Sequence, residues 1–176
     1  VIETDRLVIR PWQEADRAPF AAMGQDAAVM AHLGPLMDRA ASDAVVDRLM
    51  AMQQLIGHCF WALELRASGD FIGLCGLKPM PMGIPGLTGT PEIGWRLARD
   101  WWGLGLASEA ARACLAWGWS QGMTRIAAIT THGNVRSQAV MRRIGMQERP
   151  DLAFDHPALA PGDPLRPHVA FETARS

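Results

Sequence analysis

Apolar positions change their spacing several times along the chain, and each change predicts a new element. Leu7-Val8-Ile9-Arg10 is a short branched run stopped by Pro11 and predicts a first strand. Gln13 to Met23 takes up helical spacing, and Asp26 to Leu33 is a weaker helical piece closed by Gly34-Pro35. A longer helix is expected from an N-cap at Ser42, because Val45, Val46, Leu49, Met50, Met52 and Leu55 recur on one side until Gly57. Phe60 to Leu65 and Phe71 to Leu77 then read as two strands, and Ala67-Ser68-Gly69-Asp70 between them predicts a β-hairpin. Pro79 to Gly89 mixes Pro and Gly with Met80, Met82, Ile84 and Leu87, so an irregular loop with an apolar lining is expected, of the kind that borders binding sites.

The second half alternates strands with helices. Glu92 to Leu97 predicts a strand, and Gly103-Leu104-Gly105 leads into a helix over Ala107 to Trp119, with Gly122 at its C-cap. Arg125 to Thr131 reads as a strand and Asn134 to Ile144 as a helix ended by Gly145, with closing strands near Gln147 to Phe154 and His168 to Glu172. No internal repeat or dividing linker interrupts this order, so a single domain over residues 1–176 is expected, with an α/β fold.

Composition narrows the classes. The 176 residues are 49% hydrophobic and 20% charged, which is a globular composition. A chain of this length buries roughly 70% of its unfolded surface on folding. A net charge of −1 supplies no positive field for nucleic acid. No apolar run approaches the ~20 residues that span a bilayer, so no membrane partner is expected. Cys59, Cys75 and Cys114 are odd in number and set in apolar surroundings, which argues for neither a disulfide framework nor a zinc site. A reducing cytoplasm is the expected compartment. Ile2 to Pro11, which follows the opening Val1, lacks the pattern of a signal peptide.

The junction at Gly103-Leu104-Gly105 carries the chemistry. Two glycines between a strand and a helix turn the backbone tightly and present unpaired N–H groups to an anion at the positive end of the helix dipole. A Walker loop would place Lys after its last glycine, whereas Leu106 and Ala107 stand there and the only Lys is Lys78. A dinucleotide fingerprint would place Gly or Ala where Ser108 stands and an acidic residue after the next strand, which ends in Thr-Thr-His. Neither class fits.

Glu92-Ile93-Gly94-Trp95-Arg96-Leu97 and Trp101 to Ala110 together resemble the coenzyme A loop of the GNAT N-acetyltransferase superfamily, in the wording of the branch that acetylates ribosomal-protein N-termini. The resemblance extends in order through Glu3-Thr4-Asp5-Arg6-Leu7, Asn134-Val135-Arg136-Ser137, Ile144-Gly145-Met146, Asp155-His156-Pro157 and Pro167-His168-Val169. It implies a mixed, mostly antiparallel sheet of about seven strands, splayed between the fourth and fifth, with helices on both faces. It further implies acetyl-CoA as cosubstrate and no metal. The pantetheine would pair with the backbone of Trp95, Arg96 and Leu97, and the pyrophosphate would lie on the amides of Trp102, Gly103, Leu104, Gly105, Leu106 and Ala107. Many relatives carry Gln or Arg at the head of this loop, where Asp100, Trp101 and Trp102 stand here.

Acetyl transfer from a thioester to an amine needs a neutral amine, a stabilised oxyanion and a proton for the departing thiolate. An α-amine, with a pKa of about 7.7–8.0, asks less of a base than a Lys amine at about 10.4. The resemblance implies Glu92 as base, acting through water; its other reading is a strand carboxylate paired with an Arg. A backbone N–H near Leu97 is the expected oxyanion donor. The Tyr that many relatives use as acid is absent, and Met141 stands in its place. The resemblance instead implies that Ser137 holds the thiol, with Asn134 three residues earlier on the same face. Asn134 also reads as an N-cap, Ser137 as an ordinary first-turn hydroxyl, and His132 as an alternative base. His156 and His168 read as residues that fix turns, and Trp117 and Trp119 as core. The expected acceptor is an α-amine on a protein or peptide, or else a small amine or aminoglycoside-like antibiotic, read by residues 13–57 and the Pro79 to Gly89 loop. A noncatalytic acyl-CoA sensor and a nucleotide-binding protein remain as rival classes. Monomer and homodimer are both compatible with the sequence.

Overall fold

A computed structural model describes residues 1–175. The branched run Leu7–Arg10 is strand β2, and a two-residue strand before it, β1 (Ile2–Glu3), pairs antiparallel with it. The expected hairpin forms from β3 (Phe60–Leu65) and β4 (Phe71–Pro79). Next in sequence come β5 (Pro91–Leu97), β6 (Arg125–Thr131), β7 (Gln147–Glu148), β8 (Phe154–Asp155) and β9 (Pro167–Ala174). The spatial order is β1-β2-β3-β4-β5-β6-β9-β7, with β8 also on β9. Every pair is antiparallel except β5 with β6. The sheet is therefore mixed and mostly antiparallel, as expected, but it has nine strands where seven were anticipated. β1 is one addition. The other arises because the run Gln147 to Phe154 is broken by a 3-10 turn at Pro150–Leu152, where proline supplies no ladder donor.

The helices are α1 (Arg17–Gln25), α2 (Ala27–Met30), α3 (Arg39–Ile56), α4 (Leu106–Ser120) and α5 (Val135–Arg143). α3 starts earlier than the Ser42 cap predicts. Asp38 is the cap, its carboxylate accepting the Ala41 N–H at 2.8 Å, and Ser42 is fully buried inside the first turn. An acidic cap also interacts favourably with the helix dipole, which a serine does not.

The two faces of the sheet take different helices. α4 packs on the face that carries Leu77, whose side chain meets Gly118 of that helix. The opposite face carries Leu74 and Arg96 and is covered by α1 and α3. In the loop 80–90, expected to carry an apolar lining, Met80, Ile84 and Leu87 are buried against Ala127 and Ala170 in a second small core.

The N-terminal turn is fastened to the start of α4 by one carboxylate. Glu109 accepts the Thr4 hydroxyl at 2.6 Å, the Arg6 amide at 3.0 Å and Arg6 Nε at 2.6 Å, while Arg6 Nη1 donates to the Leu104 carbonyl at 2.9 Å. Desolvation pushes the Glu109 carboxyl up, but the Thr4 and Arg6 hydrogen bonds outweigh it and hold the pKa below its ordinary value. A carboxylate so depressed stabilises the fold above its unfolded pKa and ceases to do so as pH falls through its folded pKa. Glu109→Gln is therefore expected to cost about 1–2 kcal/mol near neutrality, a fall in Tm of about 2–8 °C. The gap to wild type should close in acid, and thermal melts across that range check it.

Candidate active site

β5 gives its main chain to two neighbours in alternation. Met80 N–H donates to the Thr90 carbonyl at 3.1 Å and Ala98 N–H to the Ile72 carbonyl at 2.9 Å. Both bonds lie on the register that sets Glu92 against Lys78 and Arg96 against Leu74. Antiparallel alternation therefore commits the main-chain groups of Glu92, Gly94 and Arg96 to β4 and turns those of Ile93, Trp95 and Leu97 to the other edge. There β6 pairs with β5 at Glu92 and Ala127 alone, and the strands part beyond it. This is the expected splay, which falls between β5 and β6. The Leu97 carbonyl accepts Trp102 Nε1 at 2.8 Å, which leaves the Trp95 N–H and carbonyl and the Leu97 N–H facing the gap. One expectation is corrected: Arg96 has no main-chain group to offer a ligand in the gap, because that group belongs to the ladder with Leu74.

Beyond β5 a 3-10 turn at Arg99–Trp101 leads to the glycine loop. Gly103 and Gly105 hold φ of +77° and +79°, the left-handed region that costs a side-chain-bearing residue about 1–2 kcal/mol. Gly105 caps α4 without a side chain, and among the described residues the amides of Gly103 to Ser108 have no acceptor within the chain. Six bare N–H groups at the head of a 15-residue helix make a cradle that fits a diphosphate. No side chain fills the space over Gly103, and the Arg136 guanidinium lies 4.6 Å from the centre of the Trp102 ring. Trp102 thus caps the end of β5 with its indole, and its amide, expected to face the anion, instead donates to the Arg99 carbonyl at 3.1 Å, so the free amides begin at Gly103.

A cavity of about 500 Å³ opens beside the gap. Its lining brings together Glu92, Trp95 and Arg96 of β5, Asn134 at the head of α5, and Ser137 and Met141 on that helix, under Val45, Arg48, Leu49 and Met52 of α3. Leu97, the loop Trp102 to Ala107 and His132 are not part of this lining; His132 is exposed and its carbonyl accepts Gln138 Nε2 at 2.8 Å. Of the loop 80–90 only Pro81 borders the cavity, next to Pro79.

Glu92 is buried and paired with Lys78, directly across the ladder, where the sequence reading anticipates an Arg. Burial pushes its carboxyl above the ordinary value, with the Lys78 charge and hydrogen bond opposing. Lys78 lies 5.1 Å over the Phe60 ring, and Gly94 leaves room for that ring, since a Cβ there would come within 2.6 Å of it. Asn134 is committed at both ends of its amide: Nδ2 donates to Thr130 Oγ1 at 3.0 Å and Oδ1 accepts the Ser137 N–H at 3.3 Å. Its N-cap reading is correct, and the bond holds the main chain of Ser137 in the first turn of α5.

Two cavity groups escaped sequence reasoning. Lys78 could have been found from the hairpin register, as the one lysine set opposite Glu92. The Arg96 side chain could not, because only the packing of α1 shows its guanidinium 5.5 Å from the Phe20 ring with Nη1 buried and unbonded. Burial pushes its pKa down to about 10. Elsewhere, His156 Nδ1 accepts the Ala158 N–H and so fixes a turn, and Trp117 packs edge-on to Trp61. No group of three or more His, Cys, Asp or Glu among the described residues is arranged to hold a metal ion, and no helix is long and apolar enough to cross a membrane.

Residues 6–147 match the acetyltransferase (GNAT) domain family. The uncharacterised protein YkkB of Bacillus subtilis is 34% identical over 145 residues, covering 81% of this chain and 83% of that one. A GNAT-family acetyltransferase from Bacillus anthracis superposes with a TM-score of 0.80 at 22% identity, covering 98% of this chain and 97% of the other. RimL, a ribosomal L7/L12 α-N-protein acetyltransferase solved with coenzyme A, superposes at 0.74 with 15% identity, covering 97% and 95%. These two structures share the fold.

Gly103→Ala would force alanine into the left-handed region with open space around it, so its effect falls on loop conformation alone. Binding of coenzyme A is expected to weaken about tenfold, the equivalent of about 1.4 kcal/mol. Calorimetric titration checks this, and unchanged affinity would show that the loop does not hold the ligand.

Proposed function

The chain belongs to the GNAT acetyltransferase family, and on that premise we propose that this acetyl-CoA-dependent N-acetyltransferase acts on the α-amine of a protein or peptide N-terminus. The observation that carries the proposal is Glu92, a buried carboxylate with a raised pKa on the wall of a cavity that adjoins the bare edge of β5. A base whose pKa is shifted toward neutrality suits an α-amine far better than a lysine side chain. The fold shared with RimL, whose name records α-N-protein acetylation, lends support.

Acetyl-CoA supplies an activated acetyl group as a thioester. The main chain of Trp95 and Leu97 holds the extended pantetheine arm as an added strand, and the amides of Gly103 to Ala107 hold the pyrophosphate. The Leu97 N–H faces the gap, where it stabilises negative charge on the carbonyl oxygen under attack. As the amine nitrogen bonds to the acetyl carbon and the C–S bond breaks, the Ser137 hydroxyl would donate a hydrogen bond to the departing thiolate, which takes its proton from solvent, and Asn134 holds the Ser137 main chain through the N-cap bond. Glu92 takes the proton from the amine through water, and Lys78 beside it keeps the carboxylate from rising too far in pKa.

Only the ionised Glu92 accepts a proton, so kcat/KM is expected to rise with pH through an inflection above the usual carboxylate range, separate from the one contributed by the amine. Glu92→Gln should remove that inflection and lower kcat by about 10²-fold or more. Ser137→Ala should lower kcat with little change in coenzyme affinity. Thiol release measured over a panel of peptides and small amines tests both roles and acceptor. Wild-type rates in both variants would overturn the roles; turnover with small amines only would overturn the acceptor class. No turnover with any amine would favour a sensor of acyl-CoA.

A further inference from the structure

Taking the cavity as the acceptor site, and so resting on the proposed function, we infer that the acceptor carries a carboxylate close to its amine and that Arg96 receives it. The charged side chains facing the cavity are Glu92, Lys78, Arg96 and Arg48. Glu92 and Lys78 neutralise each other, which leaves two cations without an anion. Arg48 stands on an exposed position of α3, where water solvates it. Arg96 lies on the sheet under the helices, makes no ion pair or hydrogen bond among the described residues, and has Nη1 buried with no partner.

A comparison within the same chain shows how unusual this is. Arg10, also on the sheet, is held by Asp16 at 2.7 Å and by Glu64 at 2.6 Å, so every part of its guanidinium that leaves water finds a carboxylate. Burying a guanidinium without a counter-charge is costly, and folded chains avoid it unless something else supplies the anion. The Phe20 ring below Arg96 holds the guanidinium in place without satisfying its donors. Arg96 lines the cavity on the same strand face as Glu92. A planar fork with free N–H groups is matched best by a carboxylate, which accepts two of them at once. The same excess of positive charge disfavours aminoglycoside-like and other polycationic amines.

Two sources present this chemistry: the α-carboxylate of a free amino acid and the acidic side chain of a peptide that begins with Asp or Glu. Steady-state assays with matched pairs separate them. One arm compares free amino acids with their carboxamides, and the other compares peptides beginning Asp or Glu with the same peptides beginning Asn or Gln. In one arm, wild type is expected to favour the carboxylate by about ten- to hundredfold in kcat/KM, the range of a charge-assisted hydrogen bond. Arg96→Gln should collapse that ratio to near one, and Arg96→Lys should restore part of it. Equilibrium titration of the acetylated products, acid against amide, should show the same ratio without turnover. A wild-type ratio near one in both arms, or a ratio that survives Arg96→Gln, overturns the inference while the transferase reading stands. Absence of turnover with every amine overturns both.

Discussion

A residue in a strand can give its main-chain groups to only one neighbour, and that limit shapes the centre of this molecule. Because Thr90 and Ala98 bond to β4, every even residue of β5 is spoken for and every odd one must find a partner on the far side. β6 meets the strand only at Glu92 and Ala127. The polar groups of Trp95 and Leu97 are thereby stranded at an edge inside the sheet, where unpaired main chain is costly unless a ligand or water takes it up. Past Ala98, Trp101 and Trp102, whose amides are bonded within the chain, the glycine loop presents a second set of unpaired donors at the head of α4. Strand edge and helix start form two sets of free main-chain groups, suited to a ligand with an extended arm and a doubly charged end.

The other face of β5 does different work with side chains. Two opposed effects act on Glu92: burial, the larger, favours the neutral acid, and Lys78 favours the carboxylate. Without Lys78 only the effect of burial would remain, and the carboxyl would ionise less readily. Lys78 in turn rests on Phe60, which fits only because Gly94 has no Cβ. The glycine of the Glu-Ile-Gly sequence therefore matters to the acid–base group two residues away, through an aromatic ring from β3.

Much of the fold was legible because its signals are local. The run Leu7–Arg10, the Ala67–Asp70 turn and the glycine pair at 103 and 105 each force a backbone shape by themselves. The start of α3 was misplaced at Ser42 because Asp38 lies outside the apolar repeat that announces the helix, and the strand over Gln147 to Phe154 hid a break that Pro150 signalled. At the site, residue identity was visible and partnership was not. Glu92, Asn134 and Ser137 converge on one cavity as the resemblance implies, but the partner of Glu92, the double bonding of Asn134 and the isolation of Arg96 depend on register and on helix packing. The apolar loop residues Met80, Ile84 and Leu87 show the same limit: hydrophobicity says that a side chain will be covered, and only tertiary contacts say by what.

The division of labour across β5 explains why the coenzyme is easier to recognise from sequence than the acceptor. A grip made of amides and carbonyls needs glycine at two positions and little else, so it asks nothing of the side chains of Asp100, Trp101 and Trp102 at the loop head. It is also compatible with a shared fold at 15% identity. The acceptor face has no such tolerance. It is built from side chains whose effect depends on whether each charge is answered, as Arg10 is answered by Asp16 and Glu64 and Arg96 is not. Substitutions on that face can redirect specificity without touching the main-chain groups proposed to hold the coenzyme. For such a protein the acceptor is better sought in the unanswered charges of the cavity than in overall likeness to relatives.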